Sequence, residues 1–406
     1  MSNTGTVSQG REYLAIPGPS VMPDAVLQAM HRAAPNIYTG ELVQLTDGLI
    51  PDLCRVARTE HNVAMYICNG HGVWEAALAN TVAGGEKVLA LATGRFGEGW
   101  AGTAQAMGIE AEILDFGNRT TWDLDRVADT LRADSDHRIK AVLAVHVDTS
   151  TSVRNNIADL RSLLDQEGHP ALLMVDCIAS LACDRFDMDS WGVDVMIAAS
   201  QKGLMVPPGL GFVFFNPRAG QRRAGLTNVS RYWDWTQRVN PQEYYQYFNG
   251  TAPTHHLYGL RVALDMIMGE GLDHVHNRHE ILARALWAAC EVWAIQGAVS
   301  LNIADPDTRS HAVTTLRMDA PNGRRLRDWT ERELGLTLGI GLGMATSSDP
   351  GSTAVFRIGH MGHVNGHMML GVIGGIEAGL TALDIPHGKG AVEAAARLIA
   401  RAAQDQ

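Results

Sequence analysis

VDVMIAASQKGLMVPPGLGFVFF, running from Val193 to Phe215, sets two short apolar runs on either side of one lysine. Residues 193–199 and 211–215 read as strands buried on both faces. Continuous apolar runs of this length, bounded by Gly and Pro, leave no polar face for water. Lys202 stands between them, just past a strand end. Lysine is scarce: Lys87, Lys140, Lys202 and Lys389 are the four, and 33 basic residues less these four leaves 29 arginines. In so apolar a setting a lysine is partly desolvated, which lowers its pKa and frees the amine to attack carbonyls. A strand-end lysine reaching for solvent is the plain alternative.

The same rhythm extends outward. Further strands are expected at 64–68, 87–92, 111–116, 139–146 and 171–175, with helices at 73–82, 98–107, 124–133 and 157–166. Short strands alternating with longer helical patterns mark βαβ units. The fold class expected is α/β, a mostly parallel seven-stranded sheet with its ligand site at the carboxyl ends of the strands. From about Gly271 the pattern changes to a long helix (272–296), strand-like VSLNIA and HAVTTLRM, and a helix near 326–334. A Gly-rich connection, GLTLGIGLGMATSSDPG, then precedes the strand AVFRIGH and two final helices. This reads as a smaller α+β domain. The chain divides into an N-terminal segment (1–20), a large domain (21–274) and a C-terminal domain (275–406).

Three features converge on Lys202. Asp176 closes the apolar strand ALLMVD, and a carboxylate there is costly unless a cation meets it or it caps the next helix. NGHG (69–72) lies between a strand and a helix, where glycines and helix amides suit a phosphate and His71 adds a donor. Such turns are common in α/β proteins. Arg357, in VFRIGHMG, is an arginine among apolar residues, suited to a bidentate grip on a substrate carboxylate or to a structural ion pair. Two histidine groups have loosely metal-like spacing: His360, His363 and His367 in HMGHVNGH, and His274, His276 and His279 in HVHNRH. The first straddles a strand end and a turn and has no H-E-x-x-H pattern; the second is expected on a solvated helix face. No metal is expected, which leaves a metal-dependent hydrolase as the competing reading from another class.

Composition narrows the field. In 406 residues, 46% hydrophobic and 19% charged, the chain has the make-up of a globular protein. A formal net charge of −11 repels nucleic acid and anionic membranes. Five cysteines with no C-x-x-C spacing suit a reducing compartment. The polar start MSNTGTVSQGREYL is unlike a secretory signal, and no apolar run approaches the ~18–20 residues of a membrane helix. A cytoplasmic protein is expected.

In order and spacing, PGPS (17–20), NGHGVWEAAL, HVDTST, VDCIAS, SQKGLMVPPGLG and FRIGHMG resemble the class V aminotransferases, specifically the serine–glyoxylate and alanine–glyoxylate branch. The likeness runs from about Leu14 to Arg397. It implies a fold-type-I, pyridoxal-phosphate-dependent homodimer with active sites at the subunit interface. Lys202 resembles the Schiff-base lysine and proton shuttle, and Asp176 the partner of the pyridine nitrogen, with Ile178 against a ring face. Asn69, Gly70, His71 and Gln201 resemble the phosphate cradle, and Thr251 the phosphate contact from the other subunit. Thr149 matches the residue bonded to the cofactor's 3′-oxygen. Arg357 matches the substrate-carboxylate clamp, helped by backbone near Gly18.

Departures gather around the substrate. Phe96 stands where alanine-type members often carry the stacking tryptophan, Ser152 where the family has glycine. PNIYTGEL replaces an H-R-S-like loop, making Tyr38 the residue expected to face substrate, and MATSSDPGST is an apparent insertion. The resemblance implies transamination from a small donor, serine or alanine, to glyoxylate or pyruvate. A pyridoxamine–pyruvate transaminase is the nearer alternative, although its members tend to place an acidic residue in the cradle turn and NGHG has none. A cysteine desulfurase would need a cysteine within 335–352, where there is none.

Overall fold

The computed structural model describes residues 7–345 and 349–404. In chain order its strands are β1 (Tyr13–Ala15), β2 (Asn62–Tyr66), β3 (Lys87–Ala92), β4 (Glu110–Asp115), β5 (Ile139–Val145), β6 (Leu172–Asp176), β7 (Val195–Ala199), β8 (Gly211–Phe215), β9 (Val299–Leu301), β10 (Val313–Met318), β11 (Leu336–Ile340) and β12 (Val355–Gly359). Seven form one sheet in the order β2-β8-β7-β6-β5-β3-β4. β3 to β7 run parallel to one another, while β8 is antiparallel to both β7 and β2. Every residue of β6, β7 and β8 is buried, which is why they read as unbroken apolar runs. Edge strand β4 has no fully buried residue.

This topology positions the site. The chain steps from β3 outward to β4, then returns to β5 on the other side of β3, so strand order reverses between β3 and β5. In open α/β sheets a crevice opens at that switch, outside the carboxyl ends. The turns after β2, β3, β5, β6 and β7 all emerge on that side. They carry Asn69, Phe96, Thr149, Ile178 and Lys202.

A five-stranded sheet, β1-β11-β12-β10-β9, packs with the long helix Leu272–Trp293 and the terminal helices Gly366–Ala382 and Ala391–Gln404. Two of its strands differ from expectation. Residues 336–340, expected within a Gly-rich connection, form β11, paired with β12 on one side and β1 on the other. Gly339 permits this: a Cβ there would lie 2.6 Å from Pro17 Cδ and 3.0 Å from the Arg357 carbonyl oxygen. Part of the apparent insertion, residues 346–348, lies outside the described residues. The helix expected from 73 begins at Gly70, because the Asn69 side chain accepts from the His71 and Gly72 amides and starts it three residues earlier. No helix among the described residues is long and apolar enough to cross a membrane.

Candidate active site

A cavity of about 300 Å3 lies at the carboxyl ends of the large sheet. Its lining brings together Gly18, Asn69, Gly70, His71, Phe96, Thr149, Asp176, Ile178, Gln201, Lys202 and Arg357. Tyr38 and Thr251 are not brought to it. Tyr38 is 82% exposed in a turn held by the Asn36 side chain, and Thr251 is exposed ahead of the helix Thr254–Glu270. The expectation that Tyr38 faces substrate is thus not met by the chain's own cavity. Its turn points to the outer surface.

Lys202 is buried, its Nζ donating to the Pro17 carbonyl. Burial brings its pKa down to about 7, and the positive Arg357 pushes the same way. Gly18, at φ +112°, lies flat against the lysine: a Cβ there would fall 2.7 Å from Lys202 Cε. Asp176 is buried at the end of β6, accepting from the Ile178 amide at 2.8 Å and from Trp74 Nε1 at 2.7 Å. Burial nevertheless lifts its pKa to about 6. No cation among the described residues forms an ion pair with it.

Arg357 on β12 is 6% exposed, so its guanidinium is almost fully desolvated. Nε donates to the Ile340 carbonyl at 2.6 Å and Nη1 to the Thr149 carbonyl at 2.8 Å. These two bonds fix the guanidinium plane. Among the described residues no carboxylate pairs with it, and burial lowers its pKa to about 10. The alternative of a structural ion pair finds no partner.

The cradle turn is equally close-fitted. A Cβ on Gly70 would come 2.6 Å from Ile178 Cδ1. His71 rests on Trp74 with ring centroids 4.7 Å apart. Gln201 Oε1 is buried with no hydrogen-bond partner among the described residues. Such an orphaned acceptor is costly in a closed core, and it marks a place built for a polar occupant or a turned amide.

The histidine groups behave differently. His360 is buried and bonded to Thr314 Oγ1 and the His311 carbonyl, each at 2.9 Å, while His363 and His367 are exposed. Of the histidines in HVHNRH only His274 lies open to solvent. His279, four residues from Val275 and three from Leu282, falls on the helix's apolar face and is fully buried. Its Nε2 accepts from the Gly362 amide at 2.9 Å, so the expectation of a solvated face fails there. Among the described residues no group of three or more His, Cys, Asp or Glu is arranged to hold a metal ion.

Comparison with known proteins adds a decisive observation: the model of the class-V aminotransferase family matches residues 74–340. The chain belongs to that family. It is 36% identical over 91% of each chain to the serine–glyoxylate aminotransferase of Methylorubrum extorquens. To the enzyme of the same name from Arabidopsis thaliana it is 32% identical, over 95% of this chain and 94% of the other. The solved alanine–glyoxylate aminotransferase of Nostoc sp. superposes with a TM-score of 0.80 at 27% identity, over 92% of this chain and 97% of that one. The family depends on pyridoxal phosphate.

Two residues of this aminotransferase's site escape a reading of the sequence alone. By sequence Trp74 reads only as a helix residue, yet its indole reaches Asp176. Asp148, within HVDTST, is fully buried; it accepts from the Ser150 amide and from the Phe96 amide, each at 2.9 Å. It thereby ties the turn after β3 to the turn after β5, and so places Phe96 beside Thr149. A signal existed in principle: an aspartate inside an otherwise apolar and hydroxyl-bearing turn must find donors. Ser152 adopts φ +65°, in the left-handed region that favours the family's glycine. Its hydroxyl donates to the Thr151 carbonyl at 2.5 Å and accepts from the Thr315 amide at 3.2 Å, which fixes serine in that conformation.

The residue after Lys202 is tightly constrained. A Cβ on Gly203 would come 2.1 Å from the Leu181 carbonyl oxygen, a backbone atom that cannot turn aside. Gly203→Ala is expected to destabilise the fold by about 1–3 kcal/mol, the usual cost of overpacking. A thermal melt should fall by several degrees, and an unchanged melt would show that the loop carrying Lys202 has slack.

Proposed function

We propose that this aminotransferase binds pyridoxal 5′-phosphate through Lys202 and moves an amino group from a small amino acid, serine or alanine, to a 2-oxo acid such as glyoxylate or pyruvate. One observation carries the reading. A desolvated amine, an unpaired buried carboxylate and an unpaired buried guanidinium line the same cavity. Three hydrogen-bonded groups with no ion-pair partner among the described residues are costly in isolation. They match, one for one, an aldehyde, a cationic ring nitrogen and a substrate carboxylate.

The residues present fit the cofactor. Asp176 would pair with the ring nitrogen, Ile178 and Phe96 would pack on the ring, and Thr149 would bond the 3′-oxygen. Asn69, Gly70, His71 and Gln201 would hold the phosphate at the start of the helix Gly70–Thr81, where the helix dipole favours an anion. With its amide turned, so that Nε2 takes the place of the orphaned Oε1, Gln201 would donate to that phosphate. When bound, the cofactor supplies the electron sink for charge developing at the substrate's Cα. Lys202 Nζ, neutral in a fair fraction near pH 7, is placed to take the proton from that Cα and to return it. Arg357, aided by backbone at Gly18, orients the substrate by its carboxylate so that this proton faces Nζ.

The relatives above agree in the word glyoxylate and differ between serine and alanine, which supports the acceptor more than the donor. We assign the active form as a homodimer in which the second copy brings Thr251 to the phosphate. Tyr38, Ile67, Tyr232 and Tyr245 are among the exposed large apolar side chains that such a contact could cover. The free thiols and the acidic charge suit the cytoplasm. The test is a visible spectrum of the purified protein with added cofactor, followed by a panel of serine, alanine, aspartate and free pyridoxamine against glyoxylate and pyruvate. Serine or alanine with glyoxylate should turn over fastest. Turnover confined to pyridoxamine, or no cofactor absorption at all, would overturn the proposal.

A further inference from the structure

Building on the cofactor reading above, we propose that Trp74 is a positioning residue: its indole N–H orients Asp176 and keeps it a free negative charge, and so sets the strength of the grip on a cationic ring nitrogen. Trp74 lies near the start of the helix Gly70–Thr81 and is 1% exposed. Its ring stacks on Trp100 at 6.3 Å and 14°, and meets the edges of Phe96 at 6.3 Å and His71 at 4.7 Å. Gly99 packs beneath it, where a Cβ would lie 3.2 Å from the indole. The ring therefore has one orientation, and in it Nε1 points at Asp176 Oδ2, 2.7 Å away.

The two donors to Asp176 come from different elements and take different oxygens. The Ile178 amide holds Oδ1 and Trp74 holds Oδ2. Together they fix the carboxylate plane. An indole N–H donates only, and it carries no charge. A lysine or arginine in its place would orient the carboxylate equally well but neutralise it. With tryptophan the negative charge remains available to an occupant of the cavity. Burial works against that charge by raising the Asp176 pKa, and the Trp74 bond opposes burial. Without the N–H, more of Asp176 would be a neutral acid near pH 7 and less able to pair.

Packing alone would also justify a buried tryptophan, so the test separates the N–H from the ring. Trp74→Phe keeps an aromatic ring against Trp100 and Phe96 and removes the donor. Affinity is measured by visible titration with pyridoxal phosphate and with an analogue bearing a C–H in place of the ring nitrogen. The variant should bind the natural cofactor roughly tenfold to a hundredfold more weakly, the worth of one hydrogen bond to a charged group. Its affinity for the carbon analogue should stay within about threefold of the parent. Asp176→Asn should show the same selective loss.

Equal losses for both ligands would reduce Trp74 to packing and overturn the inference, as would no loss for either. Should Trp74→Phe not fold, Trp74→His restores a ring N–H. In that variant a natural-to-analogue affinity ratio near the parent's supports the inference, and a ratio collapsed towards one overturns it. A parent protein that binds neither ligand would instead sink the cofactor reading itself.

Discussion

Lys202→Ala is expected to abolish the visible absorption of bound cofactor and to cut turnover by at least ~10^2–10^4-fold, the loss of proton transfer alone. Loss of the covalent hold adds to this. Removing a buried amine also removes the cost of desolvating it, so with both proteins free of cofactor the variant should melt at or above the parent's temperature. That combination, a dead but sound protein, separates a functional lysine from a structural one. The pH dependence follows from its lowered pKa of about 7. The neutral amine is the nucleophile, so condensation with an aldehyde should speed up as pH rises towards 7 and level off above it. A lysine with an ordinary pKa near 10.4 would still be gaining rate at pH 9. A rate that climbs steadily through pH 9, or a Lys202→Ala protein with normal turnover, would contradict the assignment.

Much of this site is legible in the sequence because its parts sit at strand ends with strong local signals. The strands expected at 87–92 and 211–215 end where β3 and β8 end, since both are apolar runs bounded by Gly, Pro or Asn. β1 and β11 were missed for the opposite reason. Tyr13–Ala15 is three residues long, and its strand character comes from pairing with a segment more than three hundred positions away. The contacts that organise the site are equally remote along the chain: Trp74 with Asp176, Asp148 with the Phe96 amide, Arg357 with the Thr149 carbonyl. Residue type can nominate each partner, but only the sheet order selects the pair. His279 shows the limit from the other side. A histidine run reads as polar, yet helix periodicity turns one member inward, where a neutral imidazole accepts a backbone N–H and behaves as a core residue.

Arg357→Lys is expected to raise KM for amino-acid and 2-oxo-acid substrates by roughly 30-fold to several thousand-fold, with kcat changing far less. The range corresponds to about 2–5 kcal/mol for breaking a buried, hydrogen-bonded charge pair. Lysine keeps the charge and most of the reach, so retention of charge is not the point. What it loses is the planar fork. In Arg357 two N–H groups are already committed, to the Ile340 and Thr149 carbonyls, and they lock the plane in which the remaining donors can meet both oxygens of a carboxylate. An ammonium cannot hold those two carbonyls and present a second parallel pair of donors. The same geometry predicts selectivity between substrates. An amine without a carboxylate should react equally slowly with parent and variant, because it never used the clamp. If the variant penalised that amine as heavily as it penalised serine or alanine, Arg357 would be acting on the fold of β12 and not on the substrate.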